Sequence, residues 1–385
     1  PYDEKIVLSD GSRKRIGEIV EEDEELEVLS YNENEGEIES NKVVDTFSNG
    51  RENVYEILTE TGSFKATGNH PILVKDEDSN KWQELSDLEV GDKIRLGSEK
   101  AESSSPYFFE LLPKCYAVGN GEVLKEYKEK FDLKDEEIAE RLDISSSTIY
   151  HYKNNSKAAP IHGVLKAMRE LDYSNKEIAE RLGKIKSPYG NEIEIPEKVT
   201  EDFMWLLGMI LTDGNLNKTE DSRHGSSYTC IRVFNTNEDI IDRAKEVFDS
   251  LGLDCYEEER EEGKFRLEVG NTLLAQVINQ EFEIPYGNKS QETKIPEIVF
   301  KMPKSLQTSF IEGVYDGDGS FLEMEEQYKR RIHFSTSSEE FADDLRDLLA
   351  GFRIKSRKSS QFIGDIEIDE KRYEVSKNSY SIRIR

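Results

Sequence analysis

Two glycine-flanked aspartates, Asp213 and Asp318, are the residues of this 385-residue sequence best placed for chemistry. Each closes an apolar run of the same design. The first reads Leu206-Leu207-Gly208-Met209-Ile210-Leu211-Thr212-Asp213-Gly214, and the second Ile311-Glu312-Gly313-Val314-Tyr315-Asp316-Gly317-Asp318-Gly319. The runs predict two helices whose central glycines, Gly208 and Gly313, let the backbones approach closely. Gly214 and Gly319 suit the left-handed residue that ends a helix. Pairing the helices brings both carboxylates to one end, in a partly dry site where a cation must offset their repulsion. Hard oxygen ligands favour Mg²⁺ (or Mn²⁺), which keeps waters and takes phosphate oxygens as further ligands. Hydrolysis of a phosphodiester by metal-activated water is the chemistry that follows.

The elements behind the two runs repeat as well. After Gly214 come a strand over Ser227–Thr236, a helix over Glu238–Leu251, and strands at Cys255–Glu259 and Phe265–Val269. After Gly319 come a strand over Arg330–Thr336, a helix over Ser338–Phe352, and strands from Ile354–Arg357 onward. The strands alternate with period two, and the helices show 3.6-residue spacing. Phe234-Asn235-Thr236-Asn237 aligns with Phe334-Ser335-Thr336-Ser337. Two such units predict a pseudo-twofold α+β domain over residues 200–385.

This region resembles the LAGLIDADG (DOD-type) homing endonucleases. The resemblance implies that Asp213 and Asp318 are catalytic, metal-binding carboxylates with the backbones of Gly214 and Gly319 beside them. It also implies that Lys294, in Lys294-Ile295-Pro296, is a solvent-activating or charge-stabilising residue; Lys218 is open as its symmetry partner. Asp316 matches the less critical first aspartate of the motif, and its counterpart in the first run is Leu211. A double-stranded DNA target site is the implied partner.

A formal charge of −29, from 52 basic and 81 acidic residues, opposes nucleic-acid binding unless basic residues gather locally. They do so late in the chain, at Lys329-Arg330-Arg331 and at Arg353, Lys355, Arg357 and Lys358, then at Arg372, Lys377, Arg383 and Arg385. Strand alternation places many of them on one sheet face, where they can neutralise phosphates.

Residues 1–98 read as an all-β unit. Its expected strands are Lys5–Leu8, Leu26–Tyr31, Lys42–Phe47, Val54–Thr59, Ser63–Ala66, Ile72–Val74 and Lys93–Leu96, between turn signals. The acidic clusters at Glu21–Glu27 and Glu33–Glu39 read as solvated loops or edges. Within this unit, Thr67-Gly68-Asn69-His70-Pro71 and the later Leu85 to Asp92 segment resemble the N-terminal splicing half of an intein, the Hint fold. The resemblance implies that Thr67 and His70 activate the first peptide bond for an acyl shift, His70 as proton donor. It implies a host extein protein in the full-length precursor. Where that family starts with Cys or Ser this chain has Pro1, so the splicing half is expected to be incomplete and inactive in this chain.

Residues 106–195 are helical. Leu133–Lys153 predicts a helix-turn-helix, with Ile138, Ala139 and Leu142 on the inner face and Ile144 in the turn. Its second helix opens on serines that can cap it and offers Ser147, Tyr150 and Lys153 to a major groove. Glu177–Leu182 echoes the first helix of the pair. Three scattered cysteines exclude a disulfide framework, and no apolar run approaches a membrane span. The expectation is a monomeric, cytoplasmic multidomain protein: a Hint-like all-β unit, a helix-turn-helix segment and a two-motif endonuclease. The alternative is a DNA-binding regulator that keeps the endonuclease fold without cleaving.

Overall fold

A computed structural model describes every residue except 23–24, 34, 49, 60–61, 77–78, 98–103, 189, 222–225, 262, 288–291, 325–328, 364–365, 369–370, 374–376 and 385. Turn residues fold the N-terminal stretch into antiparallel hairpins: β1 (Lys5–Val7) with β2 (Arg13–Arg15), β3 (Glu27–Asn32) with β4 (Glu37–Lys42), β5 (Val54–Leu58) with β6 (Ser63–Thr67), and β7 (Pro71–Asp76) with β8 (Ser79–Glu84). A helix, α1 (Ile16–Glu22), interrupts them. The helical stretch runs β9 (Tyr116–Ala117), α2 (Gly121–Phe131), α3 (Asp135–Arg141), α4 (Ile149–Lys153), β10 (Ala159–Pro160), α5 (Ile161–Glu170), α6 (Asn175–Leu182), β11 (Lys184–Lys186) and β12 (Glu192–Glu194). Then follow α7 (Glu201–Asp213), β13 (Gly214–Asp221), β14 (Ser226–Asn235), α8 (Glu238–Ser250), β15 (Tyr256–Glu261), β16 (Lys264–Val269), α9 (Thr272–Gln280) and α10 (Glu297–Lys301). The chain ends with α11 (Lys304–Asp318), β17 (Gly319–Met324), β18 (Lys329–Thr336), α12 (Glu339–Gly351), β19 (Ser356–Ile363), β20 (Ile366–Ile368), β21 (Lys371–Tyr373) and β22 (Lys377–Ile384).

Two compact units result. One comprises Pro1–Ser103, Ser290–Pro303 and Gly319–Arg385; the other comprises Ser104–Lys289 and Lys304–Asp318.

In the first unit, Ala66, Ile72, Val74 and Leu85 form a small core with Ile57, Phe64, Leu88 and Ile94. The expected strand at Lys42–Phe47 is absent. The acidic stretch read as a solvated loop or edge supplies β4, an exposed strand of a two-stranded hairpin, in register from Glu27↔Lys42 to Asn32↔Glu37. Its side chains are mostly exposed, so no apolar alternation marks it. Lys93–Leu96 yields a single bridge, Val74↔Ile94. The hairpin β1–β2 is tied to α10 and α12 by charge. The buried Arg13 guanidinium donates to Asp344 at 2.7 Å, Glu297 at 3.0 Å and Asp347 at 2.8 Å, and lies 3.5 Å over the Phe300 ring. Lys5 adds contacts to Glu297 and Asp344 at 3.3 and 3.4 Å. Asp344 also accepts from the Ile295 N–H at 3.1 Å.

The second unit carries a duplication larger than the short echo in Glu177–Leu182. Val123-Leu124-Lys125 and Val164-Leu165-Lys166 open α2 and α5. Asp132 and Asp172, both with positive φ, turn each chain into α3 and α6. Each copy also begins on a strand, β9 or β10, and these pair with each other.

The repeat of the endonuclease-like elements is seen as two four-stranded antiparallel sheets. Their orders are β13-β14-β16-β15 and β17-β18-β22-β19. Gly214 pairs with Val233, and Gly319 with Phe334. Asn237 and Ser338 are the side-chain caps of α8 and α12. Val233 therefore corresponds to Phe334, one residue out of step with the alignment of Phe234 on Phe334.

The helices α7 and α11 pack backbone to backbone. A Cβ built on Gly208 would lie 2.4 Å from the Phe310 carbonyl oxygen, and one on Gly313 would lie 2.0 Å from that of Trp205. Gly313→Ala should therefore destabilise the protein by about 1–3 kcal/mol or more. Gly62→Ala, where nothing lies within 4 Å, should be near neutral; thermal unfolding compares the two. Burial raises the Asp344 pKa despite Arg13 and Lys5. A raised carboxyl pKa contributes stability at low pH that is lost as pH rises through the folded value. Arg13→Met, which leaves the buried Asp344 with only Lys5 and the Ile295 N–H as partners, should cost about 3 kcal/mol near neutrality. The deficit should narrow as pH falls to about 5, as read from urea midpoints at the two pH values.

Candidate functional site

Nine consecutive residues of α7, Phe203 to Leu211, are buried, so its only chemically useful end is the C-terminus. Thr200 caps the other end, its hydroxyl accepting from the Phe203 N–H at 3.1 Å. At the C-terminal end α11 comes in as tightly as in the middle. A Cβ on Gly317 would lie 2.0 Å from Thr212 Oγ1 and 3.4 Å from the Asp213 nitrogen. Asp213 is thus set beside the last turn of α11, one residue from Asp318. The backbone at Asp213 therefore lies against the turn that carries Asp318.

Their surroundings differ from expectation in two respects. Asp213 is half-buried and Asp318 exposed, so the pair faces solvent rather than a dry pocket. An open site carries little desolvation penalty and admits a large ligand. Nor does a left-handed glycine end either helix. Gly214 has φ −131 and ψ −180, and α7 runs directly into β13 as α11 runs into β17 at Gly319. Glycine is needed at 214 for space, since a Cβ would lie 2.6 Å from the Arg232 carbonyl oxygen.

Sequence reasoning gave Asp316 no role; the structure gives it a structural one. The Trp205 indole, fully buried, donates to Asp316 Oδ2 at 2.8 Å. The Asn235 amide donates to the Asp316 carbonyl at 3.1 Å. Arg243 stacks 4.2 Å from the Trp205 ring centroid and pairs with Glu312 at 2.7 Å. These contacts tie the last turn of α11 to α7, β14 and α8. Leu211, the counterpart of Asp316, is simply buried core.

The residues fit a divalent cation in donor type. Among the described residues no cluster of three His, Cys, Asp or Glu side chains forms a ready-made metal cage. Two carboxylates at adjoining helix ends would leave the remaining positions to backbone, water or phosphate oxygen, which is how Mg²⁺ is commonly held.

Lys294 belongs to the first unit, while Asp213 and Asp318 belong to the second. Its neighbours are fixed against α12, through Ser338 Oγ donating to the Thr293 carbonyl and the Ile295 N–H donating to Asp344. Ile195-Pro196-Glu197 repeats Ile295-Pro296-Glu297, which places Glu194 where the second copy has Lys294. Glu194 pairs with Lys184 at 3.0 Å. Lys218 is exposed on β13.

The expected DNA-contacting residues divide. Ser147 and Tyr150 are exposed, Ser147 within a 3₁₀ turn at Ser146–Thr148 that precedes the five-residue α4. No side-chain cap bond forms at α4, contrary to the serine-cap expectation. Lys153 is taken up by Asp135, at 2.7 and 2.8 Å, and locks α4 to α3. Lys358 likewise faces α12, pairing with Asp343 at 2.6 Å and Glu339 at 3.2 Å. Arg357 and Lys355 are exposed, Arg331 is half-exposed, and Arg353 is an exposed residue with φ 60. The Arg330 side chain lies outside the described residues.

In the first unit, Thr67 ends β6 and donates from Oγ1 to Asn69 Oδ1 at 2.8 Å. The backbone N–H of the exposed His70 donates to the Thr67 carbonyl at 3.0 Å. Residues 2–4 are fixed nearby. The carbonyls of Tyr2 and Glu4 accept from Gly17 and Ile16, and the Glu4 carboxylate accepts from the Lys65 N–H at 3.1 Å.

Asp316→Ala should leave the buried Trp205 N–H unpaired and lower stability by about 1–3 kcal/mol. Combined with Trp205→Phe, it should cost clearly less than the sum of the two single losses in a double-mutant cycle of thermal unfolding.

Residues 6–316 match the family model of the intein splicing domain, and residues 305–379 match that of a LAGLIDADG-like domain. The chain is 26% identical over 251 residues to a DNA polymerase of Thermococcus sp. (strain GE8), covering 65% of this chain and 13% of that protein. It is 22% identical over 302 residues to the replication factor C small subunit of Methanocaldococcus jannaschii, covering 77% and 12%. Among solved structures it is similar to the endonuclease I-DmoI in complex with DNA and Mn, at 16% identity and a TM-score of 0.34, covering 48% of this chain and 89% of that one. The chain spans only a small part of its curated relatives, yet the splicing-domain model matches residues 6–316, most of this chain: the chain belongs to the intein splicing-domain family and carries a LAGLIDADG-like domain.

Proposed function

We propose that the chain is the endonuclease-bearing part of an intein, making a site-specific double-strand break in DNA with Mg²⁺ or Mn²⁺. The observation that carries this is the helix pair, whose backbone contact at Gly208, Gly313 and Gly317 sets Asp213 beside the last turn of α11 at a solvent-open end. Asp213 and Asp318 would hold the cation, beside the backbones of Gly214 and Gly319. When bound, such a cation neutralises charge on the scissile phosphate and lowers the pKa of a water. Lys294 adds positive charge for the reacting phosphate. Ser147 and Tyr150, with Arg331, Arg353, Lys355 and Arg357, are assigned to DNA contact by their exposure; Lys153, held by Asp135, and Lys358, held by Asp343 and Glu339, are not.

Thr67 and His70 act in splicing. Asn69 orients the Thr67 hydroxyl, and in a precursor that supplies a Cys thiol or Ser hydroxyl to attack the upstream carbonyl, His70 would protonate the amide nitrogen that this attack displaces. The chain acts as a monomer, because its two aspartate motifs would complete one site without a second copy.

Cleavage of a plasmid carrying the uninterrupted insertion site tests the nuclease reading. Wild-type protein should linearise it only with Mg²⁺ or Mn²⁺. Asp213→Asn and Asp318→Asn should each reduce cutting by at least about a hundredfold while retaining binding. Undiminished cutting by the double variant would remove both carboxylates from the mechanism. Binding without cutting by wild-type protein would make the chain a non-cleaving regulator.

A further inference from the structure

The residue after each motif glycine opens a row of side chains running straight across a sheet. In the first copy the row is Asn215, Arg232, Glu268 and Tyr256. In the second it is Ser320, His333, Arg383 and Arg357. Strand order and register make the two rows equivalent, position for position. Each lies on the face turned away from the packed helices. The adjacent row of the first sheet holds the fully buried Val233 and Leu267, and that of the second holds Phe334 and Ile382.

The charges in the rows are not equivalent. Arg232 pairs with Glu268 at 2.7 Å, and the neighbouring Arg266 pairs with Glu258 at 2.8 Å, so the first sheet answers its own cations. In the second sheet Arg383 occupies the place of Glu268. It stands directly opposite both His333 and Arg357, and Arg331 lies two residues from His333 on the same face. Among the described residues no carboxylate pairs with Arg357 or Arg383, and both are exposed. Burial and the charge of Arg383 hold the His333 imidazole below its ordinary range. Like charges directly opposite across strands are destabilising. A row kept cationic in one copy and neutralised in the other is matched to a polyanion at the second sheet.

We propose that the two sheets engage duplex DNA unequally: the Arg331, Arg357 and Arg383 face of the second sheet supplies the phosphate-neutralising grip, and the first sheet contributes little electrostatic affinity. The inference rests on the DNA-binding part of the function proposed above and is independent of cleavage. Its consequence is a DNA half-site held by charge through the second copy.

The test is the salt dependence of binding of the full chain to an arbitrary duplex of about 30 base pairs, in chelator, followed by fluorescence anisotropy. Arg357→Ala/Arg383→Ala should lower the slope of log K against log salt by about 2, because each phosphate contact contributes about 0.9. Arg232→Ala/Arg266→Ala should change it by less than about 0.5. Arg357→Lys/Arg383→Lys should restore the slope, which separates charge from folding. An unchanged slope in the first pair, or an equal fall in the second, overturns the inference. Asp213→Asn with an intact slope but no cutting supports the nuclease reading; an intact slope with undiminished cutting sinks that reading and leaves this inference standing.

Discussion

Direct backbone contact between α7 and α11 is the constraint on which the rest of the structure depends. It exists because Gly208 and Gly313 have no Cβ to hold the helices apart. Once the helices are this close, no polar group can be tolerated between them without a partner, and α7 is accordingly apolar for nine residues. Chemistry is thereby confined to the end of the pair. There, Gly317 opposite Thr212 lets the approach continue to the final turn, and Asp213 and the last residue of α11 become neighbours. The same closeness makes Trp205 useful. Its indole N–H, otherwise stranded in the core, finds Asp316 within reach and fixes the turn that carries Asp318.

The helix pair and the repeat behind it were legible in the sequence because both rest on local patterns: apolar runs, glycine spacing and strand alternation. What escaped was set by non-local partners. Lys153 and Lys358 look like free cations in one dimension, and only the fold supplies Asp135, Asp343 and Glu339. Asp316 likewise acquires its function from a tryptophan 111 positions away. The glycines after the aspartates were expected for their backbone freedom, yet Gly214 is extended and is required by the nearby Arg232 carbonyl instead. β4 was hidden for a different reason. A two-stranded hairpin with no buried face has no need to alternate, so its acidic composition resembled that of a loop. The one-residue error in aligning the two copies came from matching Phe234 with Phe334, whereas the caps Asn237 and Ser338 mark the true correspondence.

The charge of −29 first stood as an objection to any nucleic-acid partner. The structure shows why a net charge decides little here. Much of the charge is consumed inside the fold. Arg13 alone faces Glu297, Asp344 and Asp347, and the first sheet neutralises Arg232 and Arg266 across its strands. A duplex responds to cations within about a Debye length, roughly 8–10 Å, and not to the distant sum. The relevant quantity is therefore which cations the fold leaves unanswered on one surface. By that measure the two copies of the repeat have diverged while keeping the same backbone, because exchanging Glu268 for its counterpart Arg383 changes a row from self-paired to cationic without moving a strand. Duplication fixed the geometry once, through the glycine-lined helix pair. It left the outward rows of the two sheets free to take different charges, since those side chains do not enter the helix-facing core.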